Sequence, residues 1–89
     1  MPCYCYMLEC ADGSFYTGWT TDPVRRTKAH NAGRGARYTR SRRPVRLVFV
    51  EVEESRSAAM KRERRIKTLP RSSKLRLIET VKRDLNQLE

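Results

Sequence analysis

Residues 3–10, Cys-Tyr-Cys-Tyr-Met-Leu-Glu-Cys, are rich in strand-forming types and run into the turn Ala11-Asp12-Gly13. Residues 14–20 form a second strand, so the pair reads as a hairpin. Its register depends on the loop. With only Asp12 and Gly13 in the loop, Tyr6 and Tyr16 fall on opposite faces. With Ala11 included, Gly13 takes the left-handed position of a three-residue loop. Cys10 then opposes Ser14, Leu8 opposes Tyr16 and Tyr6 opposes Gly18. Both phenols share a face in that register, as diagonal neighbours, and Gly18 leaves space beside Tyr6. The second register is the expected one.

The pattern then changes period. Asp22 is a good N-cap and Pro23 suits a first helical position, where its missing N–H has no partner to lose. A helix is predicted over about 22–33, with Gly33 as its stop. Residues 33–44 show no periodicity and read as a loop. Residues 45–53 form a third strand; its run Leu47 to Val50 is apolar on both faces, which predicts the central, most buried strand. Ser55 or Ser57 caps a further helix reaching about Thr68. Leu69-Pro70 breaks it, and Ser72 or Ser73 begins a last helix. A stripe of Leu75, Ile78, Val81, Leu85 and Leu88 is expected to pack that helix over the core.

Eighty-nine residues predict one domain, 1–89, with one small sheet and a few helices. Such a chain buries roughly 60% of its unfolded surface, so the core is thin. The charge changes the picture more. Twenty Lys and Arg against ten Asp and Glu leave +10, which points to nucleic acid as the partner. No apolar run is long enough to span a bilayer and no signal peptide opens the chain, so a cytoplasmic protein without membrane attachment is expected. Cys3, Cys5 and Cys10 are an odd count crowded on the first strand. They read as small buried hydrophobes in a reducing compartment, Cys3 and Cys5 on one face and Cys10 on the other.

The candidate chemistry is a dispersed set. Arg26 and His30 lie four apart on one helix face. Glu63 shares a face with Ala59 and Ile66, and a carboxylate on a core-directed stripe needs a partner or a job. An ion pair with Lys67 is one answer. Convergence with Arg26, His30, Tyr6 and Tyr16 on one site is the other. That set suits phosphodiester hydrolysis. Arg26 meets the phosphate with its planar fork, and Glu63 holds a divalent ion that activates water. A tyrosine serves as base only if cations depress its pKa, as Arg26, Lys67 and a metal would. The loop Gly33 to Pro44 carries Arg34, Arg37, Arg40, Arg42 and Arg43 around Tyr38, a composition that wraps phosphates while the ring stacks. Lys67 is added to these nucleic-acid contacts.

Tyr4-Cys5-Tyr6, then Tyr16-Thr17-Gly18, Arg26-x-x-x-His30 and a helical Glu63 together resemble the GIY-YIG nuclease family, most of all its small single-domain bacterial branch. The likeness runs from Tyr4 to about Ile78, and includes Gly33-x-Gly35-Ala36-Arg37-Tyr38-Thr39, Arg43-Pro44 and Ala59-x-x-x-Glu63-x-x-x-Lys67. Tyr4-Cys5 stands where the family has Gly-Ile, and Thr17 where it has Ile. The resemblance implies an α+β fold, a three-stranded antiparallel sheet flanked by helices. It implies an endonuclease using Mg²⁺ or Mn²⁺ on DNA, branched or damaged DNA in repair or recombination among the substrates. Tyr6 and Tyr16 would be the motif tyrosines, with Tyr16 favoured beside the attacking water. Arg26 would bind phosphate, His30 would assist by hydrogen bonding and Glu63 would hold the metal. Targeting falls to the domain's own charge or to a protein partner. The competing readings are a nucleic-acid-binding module without turnover, on DNA or RNA, and a small interaction domain docking an acidic protein.

Overall fold

The computed structural model describes residues 2–87. In chain order it has strand β1 (Cys3–Glu9), strand β2 (Phe15–Thr20), helix α1 (Pro23–Asn31) and the short helix α2 (Arg37–Arg40). Strand β3 (Arg46–Glu53), helix α3 (Arg56–Lys67) and helix α4 (Arg71–Gln87) follow. The three strands form one antiparallel sheet in the order β2-β1-β3. The hairpin takes the expected register: Leu8 faces Tyr16 and Tyr6 faces Gly18. Gly13 sits at φ 84°, and Cys10 N–H donates to Ser14 O at 2.8 Å to close the loop.

The central strand is β1, and β3 lies at an edge, contrary to the expectation from the Leu47–Val50 run. Two physical facts account for it. Cys5, Tyr6, Met7 and Leu8 are all buried, so the strand covered on both faces is the one written in sulfur and phenol side chains. The β3 run is apolar because of a bulge. Met7 pairs with Phe49 and Leu8 with Leu47, which leaves Val48 as an extra residue. Val48 and Phe49 therefore both reach the same core cluster, while Leu47 joins the opposite one.

Those clusters are the two faces of the sheet. Cys5, Met7 and Phe49 pack with Ile66 of α3 and Ile78 of α4. Tyr6, Leu8, Cys10 and Val45 pack on the other side with Tyr16 and Leu47, the side that α1 covers. All three cysteines are free and buried, with Cys5 and Cys10 on opposite faces as expected.

Local chemistry sets the helix ends. The Asp22 carboxylate accepts from Arg25 N–H at 3.1 Å to cap α1, with Pro23 at its first position. Gly33 ends α1 at φ 82°, donating to His30 O at 3.1 Å while Arg34 N–H donates to Ala29 O at 2.9 Å. This double closure needs the left-handed residue that glycine supplies. Ser55 caps α3 through Ala58 N–H at 3.1 Å. The last helix starts at Arg71 rather than Ser72 or Ser73, because the Pro70 carbonyl already accepts from Ser73 and Lys74 N–H. Its packed side also differs from the predicted stripe. Ile78 and Val81 face the core with Leu77, and Leu75 is 42% exposed. Leu88 and the side chain of Leu85 lie outside what the structure describes.

Candidate active site

The hairpin register and the α1 start bring Tyr6, Tyr16 and His30 to one side of the sheet, with Arg26 one turn earlier on α1. Tyr6 on β1 and Tyr16 on β2 are diagonal neighbours with ring centroids 6.4 Å apart. His30, in the last turn of α1, inserts against both: its ring is 6.0 Å from Tyr6 and 5.1 Å from Tyr16. The Tyr6 hydroxyl and His30 Nε2 are hydrogen bonded at 2.9 Å, and both residues are fully buried. Gly18 makes this possible. A Cβ there would stand 2.7 Å from the Tyr6 phenol oxygen, so the space expected beside Tyr6 is occupied by the ring itself.

The electrostatics separate the two phenols. Burial pushes Tyr6 up to about 12, with the neighbouring Tyr16 and Glu63 adding to the rise and Arg26 opposing it. At Tyr6 burial thus outweighs the Arg26 guanidinium, the opposite sense to the depression a tyrosine base requires. Tyr16 is only half-buried and borders a cleft, so its phenol is the more accessible of the two. Burial, with the Arg26 charge adding to it, lowers His30 to about 4, so the imidazole is neutral at pH 7. Arg26 therefore acts on both Tyr6 and His30 from one turn earlier on α1.

Glu63 approaches from α3 and pairs with Lys67 at 3.5 Å, with 21% of its side chain exposed. Its charge is felt at Tyr6. The ion pair and the shared site are therefore not exclusive answers. Lys67 also lines a cleft of about 300 Å³ with Phe15, Tyr16, Thr17, Tyr38 and Lys74. A second hollow of about 280 Å³ lies beside Arg25 and Arg26, walled by Thr20, Thr21, Asp22 and Ala29.

As a metal ligand, Glu63 is a single partly exposed carboxylate. Among the described residues no three His, Cys, Asp or Glu side chains gather as a cage. One carboxylate plus retained waters is a donor set that magnesium accepts, so Glu63 fits such an ion once Lys67 swings aside.

The arginine-rich stretch is not a plain loop. Residues Arg37–Arg40 form α2, and the arginines of the stretch divide into two groups. Arg42 donates to Asp12 at 3.0 Å and to Tyr38 O at 2.8 Å, and its guanidinium lies 3.9 Å over the Tyr38 ring. Arg43 donates to Arg40 O at 2.9 Å and Asn31 O at 3.2 Å. These two hold the loop together, which accounts for them without a phosphate. Arg34, Arg37 and Arg40 are exposed and make no ion pair among the described residues. Tyr38 stacks on Tyr16 at 6.2 Å and so has Arg42 and Tyr16 as ring neighbours.

Four contributors receive no role from sequence reasoning, although Gly35 and Thr39 stand in the stretch that carries the family resemblance. Thr39 is fully buried with its hydroxyl 2.8 Å from His30 Nδ1. Gly35 passes so close to the imidazole that a Cβ would come within 2.1 Å of Nδ1. Asn31 bridges to Val45 through both side-chain atoms, at 2.9 and 2.7 Å, and ties α1 to the start of β3. Lys74 completes the cleft from α4. Only Gly35 carries a local signal, a glycine two residues after another; the rest depend on contacts across the fold.

A tyrosine pair, an imidazole and a guanidinium on a small antiparallel sheet, with a helical carboxylate and a cationic cleft alongside, make up one polar site. Residues 2–76 match the GIY-YIG catalytic domain, so the chain belongs to the GIY-YIG family, a nuclease family. Its relatives include a UPF0213 protein of Haloquadratum walsbyi, 52% identical over 84 residues that span 94% of this chain and 93% of that one. A UPF0213 protein of Staphylococcus haemolyticus is 53% identical over 76 residues, 85% of this chain and 93% of that one. Two solution NMR structures share the fold. The UPF0213 protein BH0048 from Bacillus halodurans has 49% identity and a TM-score of 0.57, covering 90% of this chain and 85% of its own. The protein EF2693 from E. faecalis has 44% identity and a TM-score of 0.61, covering 91% and 86%. No helix among the described residues is long and apolar enough to cross a membrane.

Proposed function

We propose that residues 1–89 form a single nuclease domain that hydrolyses phosphodiester bonds in DNA with one Mg²⁺ or Mn²⁺ ion. The observation that carries this reading is the buried Tyr6–His30 contact of 2.9 Å with Tyr16 laid against the same imidazole. Three polar rings gathered under a basic surface are costly to assemble for packing alone.

Arg26 holds the scissile phosphate, its fork matching two phosphate oxygens. Tyr16, on the cleft side, orients the attacking water by hydrogen bonding. Tyr6 keeps its own proton, since burial raises its pKa to about 12, and serves as a hydrogen-bonding support. His30, neutral at pH 7, holds Tyr6. Glu63 binds the ion; when bound, a divalent cation lowers the pKa of water and steadies the leaving oxygen. Arg34, Arg37 and Arg40 with Lys67 and Lys74 supply the charge that draws the strand in.

The test is a panel of flap, fork, nicked, single-stranded and duplex DNAs, plus RNA, with Mg²⁺ and Mn²⁺. Cleavage of at least one DNA is expected, and Glu63→Ala should abolish it while leaving DNA affinity in place. Tyr16→Phe should lose more kcat than Tyr6→Phe. Cleavage that persists unchanged in Glu63→Ala removes the assigned metal role. Tight, salt-sensitive binding with no product from any substrate leaves a binding module instead.

A further inference from the structure

We propose that Thr39 is a positioning residue of this site: it fixes His30 in the Nδ1–H form, so that Tyr6 gives its hydroxyl proton to Nε2 and turns its lone pairs toward Arg26. The nuclease reading enters only through the activity measured at the end.

The proposal follows from counting donors and acceptors around two buried rings. The Arg26 guanidinium near Tyr6 carries only donors and has no lone pair to offer. The hydroxyl proton of Tyr6 therefore needs another acceptor. Tyr6 is 1% exposed, which leaves no solvent to take it. The partner present is His30 Nε2 at 2.9 Å. For Nε2 to accept, a neutral imidazole must carry its proton on Nδ1. That proton then needs an acceptor of its own, and Thr39 Oγ1 stands 2.8 Å away. The Thr39 hydroxyl in turn donates to the Ala36 carbonyl at 2.9 Å. The chain Tyr6 to His30 to Thr39 to Ala36 O satisfies every side-chain donor once.

The opposite tautomer fails this accounting. With the proton on Nε2, the Tyr6 oxygen receives from His30, and its own proton has no acceptor among the described residues. The one contact favouring that form is the Ala36 N–H to Nδ1, the longest of the group at 3.3 Å. The surroundings are shaped for the first arrangement. Thr39, His30 and the Tyr6 ring are buried, and Gly35 lets the backbone lie flat against the imidazole where any Cβ would collide. Helix α2 thus exists in large part to bring one hydroxyl to one ring nitrogen. Its consequence for the site is that the phenol oxygen keeps its lone pairs available to the nearby Arg26 guanidinium.

His30 is the chain's only histidine, so untagged, ¹⁵N-labelled protein gives a single set of ring-nitrogen signals. At pH 7 the wild type should show a protonated Nδ1 and a lone-pair Nε2. The reverse assignment overturns the proposal outright. Thr39→Val keeps the shape but removes the acceptor, and should move the ring toward the Nε2–H form. Its kcat should fall about tenfold to a hundredfold with little change in KM, a usual cost of losing the group that orients a functional histidine. Thr39→Ser restores the hydroxyl and should restore both readouts. A valine variant that keeps the wild-type tautomer and kcat also overturns it. Should that variant not fold, the wild-type and serine spectra decide. If the tautomer is as stated but no DNA is cut by any form, the positioning role stands and the nuclease reading falls.

Discussion

Gly35 shows how little room the site leaves. A methyl group there would lie 2.1 Å from His30 Nδ1 and 2.8 Å from the His30 Cα, so both side chain and backbone would have to move. Gly35→Ala should therefore destabilise the fold by about 1–3 kcal/mol, in the range of overpacked cores, read as a lower urea midpoint with an unchanged slope. The same residue shows where sequence reasoning stops. Tyr6, Tyr16 and Gly18 can be placed relative to one another because strand register is a local, period-two calculation. Asp22 and Pro23 are legible because capping is local too. Thr39 and Gly35 meet His30 from the far side of a helix end, and no periodicity writes that contact down. The protonation of Tyr6 eludes the sequence for a related reason. Nearby cations are visible in a sequence, whereas the burial that outweighs them is not.

At the level of elements, β3 carries a feature with its own pH dependence. Glu51 accepts two bonds from Arg62 of α3, at 2.8 and 3.3 Å. Glu53 shares a proton with Glu51, and this, with some burial and the Glu51 charge, raises its carboxyl to about 7; Arg62 opposes the rise and Glu54 adds to it. Its Oε2 is buried without a partner, a position that disfavours the ionised form. The folded state thus holds a proton that an ordinary glutamate releases near 4.5. Because the folded pKa lies above the unfolded one, this contribution is complete below about 4.5 and is lost as pH rises through about 7. Glu53→Gln removes the titration. Its Tm should match wild type near pH 5 and exceed it near pH 8, measured by thermal unfolding at both. The elements themselves are mostly readable, with instructive exceptions. α2 has four residues and no side-chain cap, so it stands on tertiary contacts alone. The β3 bulge mimics a buried strand by sending Val48 and Phe49 to one cluster, and a single sequence cannot distinguish that from a strand covered twice.

For the whole molecule, the +10 charge is an instrument only where it is free to meet phosphate. Arg42 and Arg43 use their donors to hold the loop, whereas Arg34, Arg37 and Arg40 are exposed and make no ion pair among the described residues. Replacing those three with alanine should weaken DNA binding and flatten its salt dependence. The log–log slope should drop by about 2–3, near 0.9 for each duplex phosphate no longer neutralised, in anisotropy titrations across a salt series. Arg42→Ala should instead lower stability and leave most of the slope, since its donors serve Asp12 and Tyr38. Composition announces the charge; only the fold sorts structural arginines from available ones.

The tip of the β1–β2 hairpin is gripped from both sides of the sheet. Arg42 reaches it at Asp12, Ala11 N–H donates to Arg42 O at 2.9 Å, and Arg71 at the head of α4 donates to Gly13 O at 2.9 Å. A short surface turn is ordinarily where a protein tolerates grafts and tags. Here it is a clasp, and any peptide spliced into it would loosen the cover of both faces at once.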